Sequence, residues 1–295
     1  MDGLSGFERA AAVLPQRLRT AALDLALWER AASEELRLRA GSEAQVILNR
    51  GEAELLPGYV VTPRDIADII EIATGASAHS AMESIRRGFV TVRGGCRIGL
   101  CGTVVVGRNG IEGMRHISSL NIRIPREVRG CAAAVWDELM SGGLPSILII
   151  SPPGGGKTTL LRELCRLASN FGVRVSLADE RGEVAAVWDG VPQFDVGRRT
   201  DVLTGAPKGE AVALLLRSMN PEIIALDEIT APEDIFAIEQ AACCGVRLIA
   251  TAHARDLREL ASRPLYSGLL QKRIFEAVIR IRRDGRVPVF ERIEL

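Results

Sequence analysis

The pattern of hydrophobic and polar positions changes near the middle of the chain. In the first half, the alternation in Glu35–Arg39 predicts a half-buried strand, and isoleucines recur at helical spacing between residues 66 and 70. Thr62 before Pro63 predicts where that helix begins, because a hydroxyl caps the first turn and proline fits its first position. Further helices are predicted at Leu18–Leu27, Ala78–Arg87 and Val128–Leu139, and Gly94-Gly95 predicts a hairpin turn. Together these patterns predict a small α+β domain.

From Pro145 onward, short apolar runs alternate with stretches of helical spacing. The predicted strands are Ile147–Ile150, Val173–Ala178, Ile223–Leu226 and Val246–Thr251, and the predicted helices are Thr158–Ser169 and Ala231–Cys243. Apolar strands separated by helices are typical of a parallel sheet that is covered on both faces. The alternation in Ala277–Arg292 around Asp284-Gly285 adds a hairpin. The sequence thus predicts an α/β fold with a mostly parallel sheet in residues 144–295, preceded by the smaller α+β domain in residues 1–143.

Composition narrows the classes of function. Lys and Arg together number 37, as do Asp and Glu, and aromatic residues make up only 4% of the chain. Proteins that bind nucleic acid usually carry a basic excess, and single-stranded bases stack on aromatic side chains. We therefore expect no dedicated nucleic-acid binding. The N-terminus lacks a signal-peptide pattern and no stretch is apolar enough to span a bilayer, so we expect a cytoplasmic protein that reaches a membrane only through a partner.

The segment Ser151–Thr159, SPPGGGKTT, has the features of a phosphate-binding P-loop (a Walker A motif). It follows an apolar strand and opens a helix, which is the context that such a loop requires. Glycines let backbone N–H groups surround phosphate oxygens, and the helix N-terminus adds the positive end of its dipole. The residues expected to bind ATP are Pro153, Gly154, Gly155, Gly156, Lys157, Thr158 and Thr159.

Within this loop, Lys157 is expected to reach the β- and γ-phosphates, and the Thr158 hydroxyl is expected to bind Mg²⁺. Ser151 stands where the pattern has its first glycine. The glycines nearest the phosphates are intact, so we expect nucleotide binding to be retained. A glycine-rich loop without function is the alternative, and the strand before the loop and the helix after it argue against that alternative.

Two carboxylates follow the apolar strand Ile223–Leu226, as in a Walker B motif. Asp227 is expected to bind Mg²⁺, and Glu228 is expected to orient and deprotonate the attacking water as a general base. A surface acidic pair after a strand is the alternative interpretation, and the P-loop upstream favours the catalytic one. Together the two motifs predict a Mg²⁺-dependent ATPase.

Two more polar segments follow predicted strands, where ligands of parallel sheets bind. His253 ends Thr251-Ala252-His253 and is expected to sense the γ-phosphate. Asp179–Glu183 is acidic, and two interpretations stay open for it: support of the metal and the water, or capping of a helix.

Four arginines are candidates for stabilising the charge that develops during phosphoryl transfer. Arg198 and Arg199 lie in the segment Asp195–Asp201, and Arg123 and Arg126 lie in the first half of the chain. Solvated or salt-bridged arginines are an equally compatible interpretation for each of them.

The order of these motifs resembles the stage III sporulation protein AA family of endospore-forming bacteria. The resemblance covers roughly Leu36 to the C-terminus and is carried by residues 94–102 (GGCRIGLCG), 121–127 (NIRIPRE), the P-loop, 179–181 (DER), 195–203 (DVGRRTDVL), 217–222 (RSMNPE) and 251–253 (TAH). That family is similar to the ATPases of type II and type IV secretion and of type IV pilus retraction.

The resemblance implies a RecA-like motor that forms a homo-oligomer, usually a hexameric ring, with a small N-terminal domain that helps to form the nucleotide site. It implies an Asp box at Asp179–Glu183 and a His box at His253. It also implies that one of the four arginines reaches the nucleotide of the same or a neighbouring subunit. The implied function is ATP hydrolysis that energises a channel between mother cell and forespore, with membrane-embedded sporulation channel proteins as partners.

Two other functions would use the same nucleotide site. One is a RecA-like ATPase that acts on nucleic acid, against which the neutral net charge argues. The other is a nucleotide-gated assembly factor with little turnover, against which the presence of both Lys157 and Glu228 argues.

Overall fold

The computed structural model describes residues 3–75, 82, 85–108, 110–141, 143–284 and 287–294. The chain divides into two compact units. The N-terminal unit comprises Met1–Glu127 and Ala186–Gln193, and the C-terminal unit comprises Val128–Ala185 and Phe194–Leu295. Most of the helix predicted at 78–87 and the second residue of the predicted 284–285 turn lie outside the described residues.

The N-terminal unit is built on a six-stranded antiparallel sheet. Its helices are α1 (Gly3–Ala11), α2 (Gln16–Asp24), α3 (Leu27–Ala32) and α4 (Pro63–Ala73). Its strands are β1 (Ser33–Arg39), β2 (Gln45–Leu48), β3 (Glu52–Glu54), β4 (Phe89–Thr91), β5 (Arg97–Gly107) and β6 (Gly110–Arg123). They lie in the order β3-β2-β1-β6-β5-β4, and all of the pairings are antiparallel. The mixture of helices and strands confirms the predicted α+β character.

Helix α4 begins where the sequence predicts. Thr62 accepts a hydrogen bond from the Asp65 backbone N–H, the Asp65 carboxylate accepts one in return from the Thr62 N–H, and proline occupies the first helical position. Ile66 and Ile69 are buried in the core of the unit, so the helical spacing of the isoleucines marks the packed face.

The C-terminal unit is built on a seven-stranded sheet with helices between its strands. Its helices are α5 (Ala133–Met140), α6 (Lys157–Phe171), α7 (Lys208–Ser218), α8 (Pro232–Cys243), α9 (Leu257–Ser262) and α10 (Pro264–Gln271). Its strands are β7 (Ile147–Ser151), β8 (Val175–Asp179), β9 (Thr200–Thr204), β10 (Ile223–Leu226), β11 (Arg247–His253), β12 (Ala277–Asp284) and β13 (Val287–Glu294). Their order is β13-β12-β7-β11-β10-β8-β9, and only the β12–β13 pairing is antiparallel among the described strands. This confirms the predicted α/β class. None of the helices in the described part of the chain combines the length and the apolar character that crossing a bilayer requires.

The register of the parallel strands brings the predicted motifs to one edge of this sheet. His253 at the end of β11 pairs with Ser151 at the end of β7, and Leu226 at the end of β10 pairs with Ala250 of β11 and Ala178 of β8. The P-loop, the acidic segment after β8, the carboxylates after β10 and His253 therefore all lie at the carboxyl edge, where parallel sheets bind ligands.

The division into units differs from the boundary predicted at residue 143. Residues 128–143, which include α5, belong to the C-terminal unit. The physical reason is packing, since the ring of Trp136 in α5 contacts the edge of Phe171 in α6 at a centroid distance of 6.1 Å. The N–H of Gly130 also donates to the Glu163 carboxylate at 2.7 Å. The chain also returns to the N-terminal unit for Ala186–Gln193, which the sequence pattern did not predict.

Gly197 lies where the segment before β9 passes over α6. Its φ is 91°, and a Cβ at this position would lie 2.5 Å from the Ser169 Cβ and 2.9 Å from the Arg166 carbonyl oxygen. The backbone conformation and the close approach both require glycine here.

We predict that Gly197→Ala lowers the free energy of unfolding by about 2–4 kcal/mol, because backbone strain and overpacking add together. Gly245→Ala is the matched control, since Gly245 also has a positive φ of 75° but no described heavy atom within 4 Å of the added methyl group. The free energy of unfolding of the control should fall by roughly 1 kcal/mol, because backbone strain alone contributes there. Urea unfolding of both variants measures the difference, and equal losses would contradict the packing argument.

Candidate nucleotide-binding site

The P-loop leaves β7 and enters α6 through a turn that only glycine can form. Gly156, the residue before α6, has a φ of 98°. A Cβ on Gly155 would lie 2.2 Å from the Ser151 hydroxyl oxygen, so that position has no room for a side chain. Ser151 itself is buried at the end of β7 and donates its hydroxyl to the Pro152 carbonyl at 2.8 Å. The serine that replaces the first glycine of the pattern is thus accommodated at the end of β7 with its hydroxyl hydrogen-bonded.

Lys157 is the first residue of α6 and its side chain is turned into the loop. Its Nζ donates to the carbonyl oxygens of Ser151 and Pro152 at 3.2 and 3.4 Å, and lies 2.7 Å from His253 Nδ1. Burial lowers the pKa of the Lys157 ammonium below its ordinary value, while the nearby carboxylates of Asp227 and Glu228 act in the opposite direction. The loop therefore holds a cation whose charge is costly to keep there.

The Asp227 carboxylate connects the P-loop helix with two strands. Its Oδ2 accepts a hydrogen bond from the Thr158 hydroxyl at 3.0 Å, and its Oδ1 accepts one from the Thr251 hydroxyl at 2.8 Å. The two residues predicted to bind Mg²⁺, Thr158 and Asp227, are thus in direct contact. The sequence analysis named Thr251 only as part of the segment that ends in His253 and predicted no role for its side chain, although its place near a strand end could have indicated one.

Glu228 has an unusual backbone conformation at the end of β10. Its φ is 49°, in the left-handed region that non-glycine residues rarely adopt. The strain is held by β11, because the Glu228 N–H donates to the Thr251 hydroxyl at 2.8 Å and the Ile229 N–H donates to the Thr251 carbonyl at 3.0 Å. Strained residues that neighbouring contacts hold in place are common at functional sites.

His253 connects Lys157 with Glu228. Its Nδ1 faces the Lys157 ammonium, and its Nε2 lies 3.2 Å from Glu228 Oε1. The ammonium can only donate, so Nδ1 accepts and Nε2 carries the hydrogen that is directed at the carboxylate. Arg181 Nη1 lies 3.8 Å from the other Glu228 oxygen. The predicted general base is therefore held on both oxygens by groups from two other strand ends.

The acidic segment after β8 divides into residues with different tasks. The carboxylate of Asp179 is buried and accepts hydrogen bonds from the backbone N–H groups of Glu183, Val184 and Ala185. Burial raises the pKa of Asp179, while these hydrogen bonds act against the rise. Arg162 of α6 holds the same segment by donating to two of its carbonyl oxygens. Asp179 thus fixes a turn, whereas the sequence had suggested either support of the metal and the water or capping of a helix. Arg181 of the same segment reaches Glu228.

Arg198 and Arg199 lie away from the P-loop of their own subunit. They precede β9 at the amino edge of the sheet, and Arg199 Nη1 donates to the Gly172 carbonyl at 3.0 Å. Gly172 caps the far end of α6, and a helix of 15 residues is about 22 Å long. The Arg199 side chain therefore contacts the end of α6 that lies opposite the P-loop. A role for Arg198 or Arg199 at the nucleotide of their own subunit stays a prediction. A contact with the nucleotide of a neighbouring subunit stays a prediction.

Arg123 and Arg126 belong to the N-terminal unit. Arg126 donates to the carbonyl oxygens of Ala31 and Ser33 at 3.2 and 2.8 Å, and Arg123 Nε lies 3.8 Å from a Glu35 oxygen. Both side chains thus have contacts within their own unit. A role for either at a nucleotide stays a prediction.

The residues at the carboxyl edge fit a magnesium nucleotide. The loop has a glycine position without room for a Cβ, a buried ammonium in contact with two carbonyl oxygens and His253, and a hydroxyl in contact with a carboxylate. Backbone N–H groups and a lysine suit phosphate oxygens, and hydroxyl and carboxylate oxygens suit Mg²⁺.

Comparison with solved structures agrees with this fold. The pilus retraction motor PilT with bound ADP gives a TM-score of 0.61 at 16% sequence identity, over 89% of this chain and 79% of that one. The ATPase DotB of Legionella pneumophila gives a TM-score of 0.57 at 16% identity, over 88% of this chain and 76% of that one. At this identity the likeness concerns the fold, and it confirms a RecA-like domain preceded by a smaller α+β domain.

Comparison of sequences identifies the family. Stage III sporulation protein AA of Bacillus subtilis (strain 168) is 36% identical over 278 residues, which cover 92% of this chain and 90% of that protein. A family model described as sporulation stage III, protein AA matches residues 8–291. The chain therefore belongs to the stage III sporulation protein AA family, as its motifs predicted.

Proposed function

We propose that this chain binds Mg-ATP at the P-loop and hydrolyses it. The observation that carries the proposal is the contact chain Lys157–His253–Glu228, which lies beside the contact of Thr158 with Asp227. A phosphate-binding cation, a Mg²⁺-binding pair and a carboxylate base thus meet at one sheet edge. The fold, which resembles an ATPase and a pilus retraction motor, supports the proposal.

Each residue has a distinct task in this proposal. The backbone N–H groups of the P-loop and Lys157 bind phosphate oxygens, and Thr158 and Asp227 bind Mg²⁺, which would neutralise charge on the phosphates. Glu228 accepts a proton from the attacking water, and the contacts of its two oxygens with His253 and Arg181 orient it. The other nitrogen of His253 faces Lys157. His253 therefore links the position of the Glu228 carboxylate to the phosphate that Lys157 binds.

We further propose that the chain works as a homo-oligomeric motor, a ring of six copies, in a sporulation channel between mother cell and forespore. Membership of the sporulation family supports the setting, and the fold supports the motor. In such a ring, Arg198 or Arg199 of one copy would face the nucleotide of the next, which is compatible with the contact of Arg199 at the far end of α6 from its own P-loop. The partners would be membrane-embedded channel proteins that hold the motor at the cytoplasmic side of the membrane.

The first prediction from this proposed function concerns Lys157. Because its folded-state pKa is below the ordinary value of 10.5, its charged form costs stability at neutral pH, and that cost falls as pH rises from the folded pKa to the unfolded one. Lys157→Met should therefore unfold at the same or a higher temperature than wild type without nucleotide. Its affinity for Mg-ATP should fall about a hundredfold, because charge-assisted contacts with phosphate are lost.

Fluorescence titration with a labelled ATP analogue and a thermal melt measure the two effects. Lys272→Met is the control, since Lys272 is an exposed lysine that pairs with Glu239 at 2.7 Å, and its removal should leave affinity unchanged. Unaltered affinity in Lys157→Met would contradict the assignment of the loop.

The second prediction concerns Glu228. Glu228→Gln keeps the size of the side chain and an oxygen for His253, but it loses the base, so hydrolysis should fall about 10²–10⁴-fold while ATP affinity stays within a few-fold. Phosphate release and the same titration measure both. Glu222→Gln changes an exposed glutamate that pairs with Arg174 and should behave as wild type. Turnover by Glu228→Gln at the wild-type rate would exclude a general-base role.

A further inference from the structure

A buried lysine outside the predicted motifs joins two loops of the candidate site. Lys208 is the first residue of α7, and only 6% of its side chain is exposed. Its Nζ lies 2.5 Å from Glu180 Oε2 and 4.0 Å from Asp234 Oδ2. Burying an ammonium costs several kcal/mol unless carboxylates compensate it, so Lys208 depends on these two partners and they depend on it.

The first partner leads to Glu228 through the loop after β8. Glu180 is followed directly by Arg181, whose guanidinium lies 3.8 Å from Glu228 Oε2. Fixing the Glu180 side chain restricts where the backbone presents Arg181. Lys208 therefore influences the position of one oxygen of the Glu228 carboxylate indirectly, through Glu180 and Arg181.

The second partner leads to Glu228 through the loop after β10. The Asp234 carboxylate is buried and accepts hydrogen bonds from the backbone N–H groups of Thr230 and Ala231, at 2.9 and 3.1 Å. These residues follow Glu228 and Ile229 in the chain. The strained backbone of Glu228 is thus held on one side by Thr251 and on the other by the turn that Asp234 fixes.

From this convergence we infer that Lys208 is a positioning residue for Glu228, an inference that rests on the proposed function. Lys208 ties the loop that carries Arg181 to the loop that follows Glu228, so it sets the orientation of the carboxylate that activates water. Its two ion-pair partners, Glu180 and Asp234, are not among the residues expected to bind phosphate or Mg²⁺. Its loss should therefore reduce turnover and leave nucleotide affinity nearly unchanged.

The test compares Lys208→Met, Lys208→Arg and the control Lys272→Met, which removes an exposed lysine from another ion pair. We expect Lys208→Met to lower kcat at least tenfold with Kd for Mg-ATP within threefold of wild type. Lys208→Arg should restore part of kcat because its charge still reaches both carboxylates. Wild-type kcat in Lys208→Met, or an equal loss of kcat and affinity, overturns the inference.

Two further measurements keep the outcome clear. If Lys208→Met does not fold, Glu180→Gln removes the charge of one ion-pair partner of Lys208 at a half-exposed position. This variant should lower kcat with unchanged affinity. Amide hydrogen exchange at Thr230 and Ala231 does not depend on hydrolysis, and it should become faster in Lys208→Met but not in Lys272→Met. If wild type and Glu228→Gln release phosphate equally slowly, the proposed function fails. Unaltered exchange in Lys208→Met would then overturn the positioning role by itself.

Discussion

The hydrogen bonds to the Asp227 carboxylate are the interaction on which the rest of the site depends. One carboxylate oxygen accepts a hydrogen bond from the Thr158 hydroxyl of the P-loop helix, and the other accepts one from the Thr251 hydroxyl in the neighbouring strand. Hydrogen bonds to a charged group contribute about 1.5–3 kcal/mol each, so this carboxylate fixes the P-loop helix against β10 and β11. The P-loop, the two residues proposed to bind Mg²⁺ and the proposed base therefore keep one geometry.

Thr251 extends this arrangement to the base. Its hydroxyl donates to Asp227 and accepts from the Glu228 N–H, so one side chain contacts both the carboxylate proposed to bind Mg²⁺ and the strained backbone of the next residue. The contacts of Glu228 with His253 and Arg181, together with the ion pairs of Lys208, then bring the ends of β8 and β11 to the same carboxylate. A change at any of these strand ends would therefore alter the surroundings of the Glu228 carboxylate.

The motifs and the parallel strands that carry them could be predicted because their signals are local. An apolar run such as Ile223–Leu226 is buried on both faces and reads as a strand without knowledge of its neighbours. Strand β9 was missed, since TDVLT is a half-buried edge strand with polar residues that resemble a loop. Helix α7 (Lys208–Ser218) was not predicted at all; its first turn is polar in sequence, although Lys208 there is buried.

What could not be predicted depends on contacts between residues far apart in the chain. The ion pairs of Lys208 and the link between Thr158 and Thr251 through Asp227 arise from the order of the strands, which no local pattern contains. The return of Ala186–Gln193 to the N-terminal unit is of the same kind. The position of Arg199 at the amino edge of the sheet follows from strand β9, which the sequence pattern did not predict.

The rate of phosphate release from Mg-ATP, measured per chain over a series of protein concentrations, tests the central claim most directly. An ATPase site that a neighbouring copy completes predicts a rate that rises with concentration, then saturates, and stays far above that of Lys157→Met throughout. A rate that remains at the Lys157→Met background at every concentration would contradict the claim that copies of this chain hydrolyse ATP without another protein.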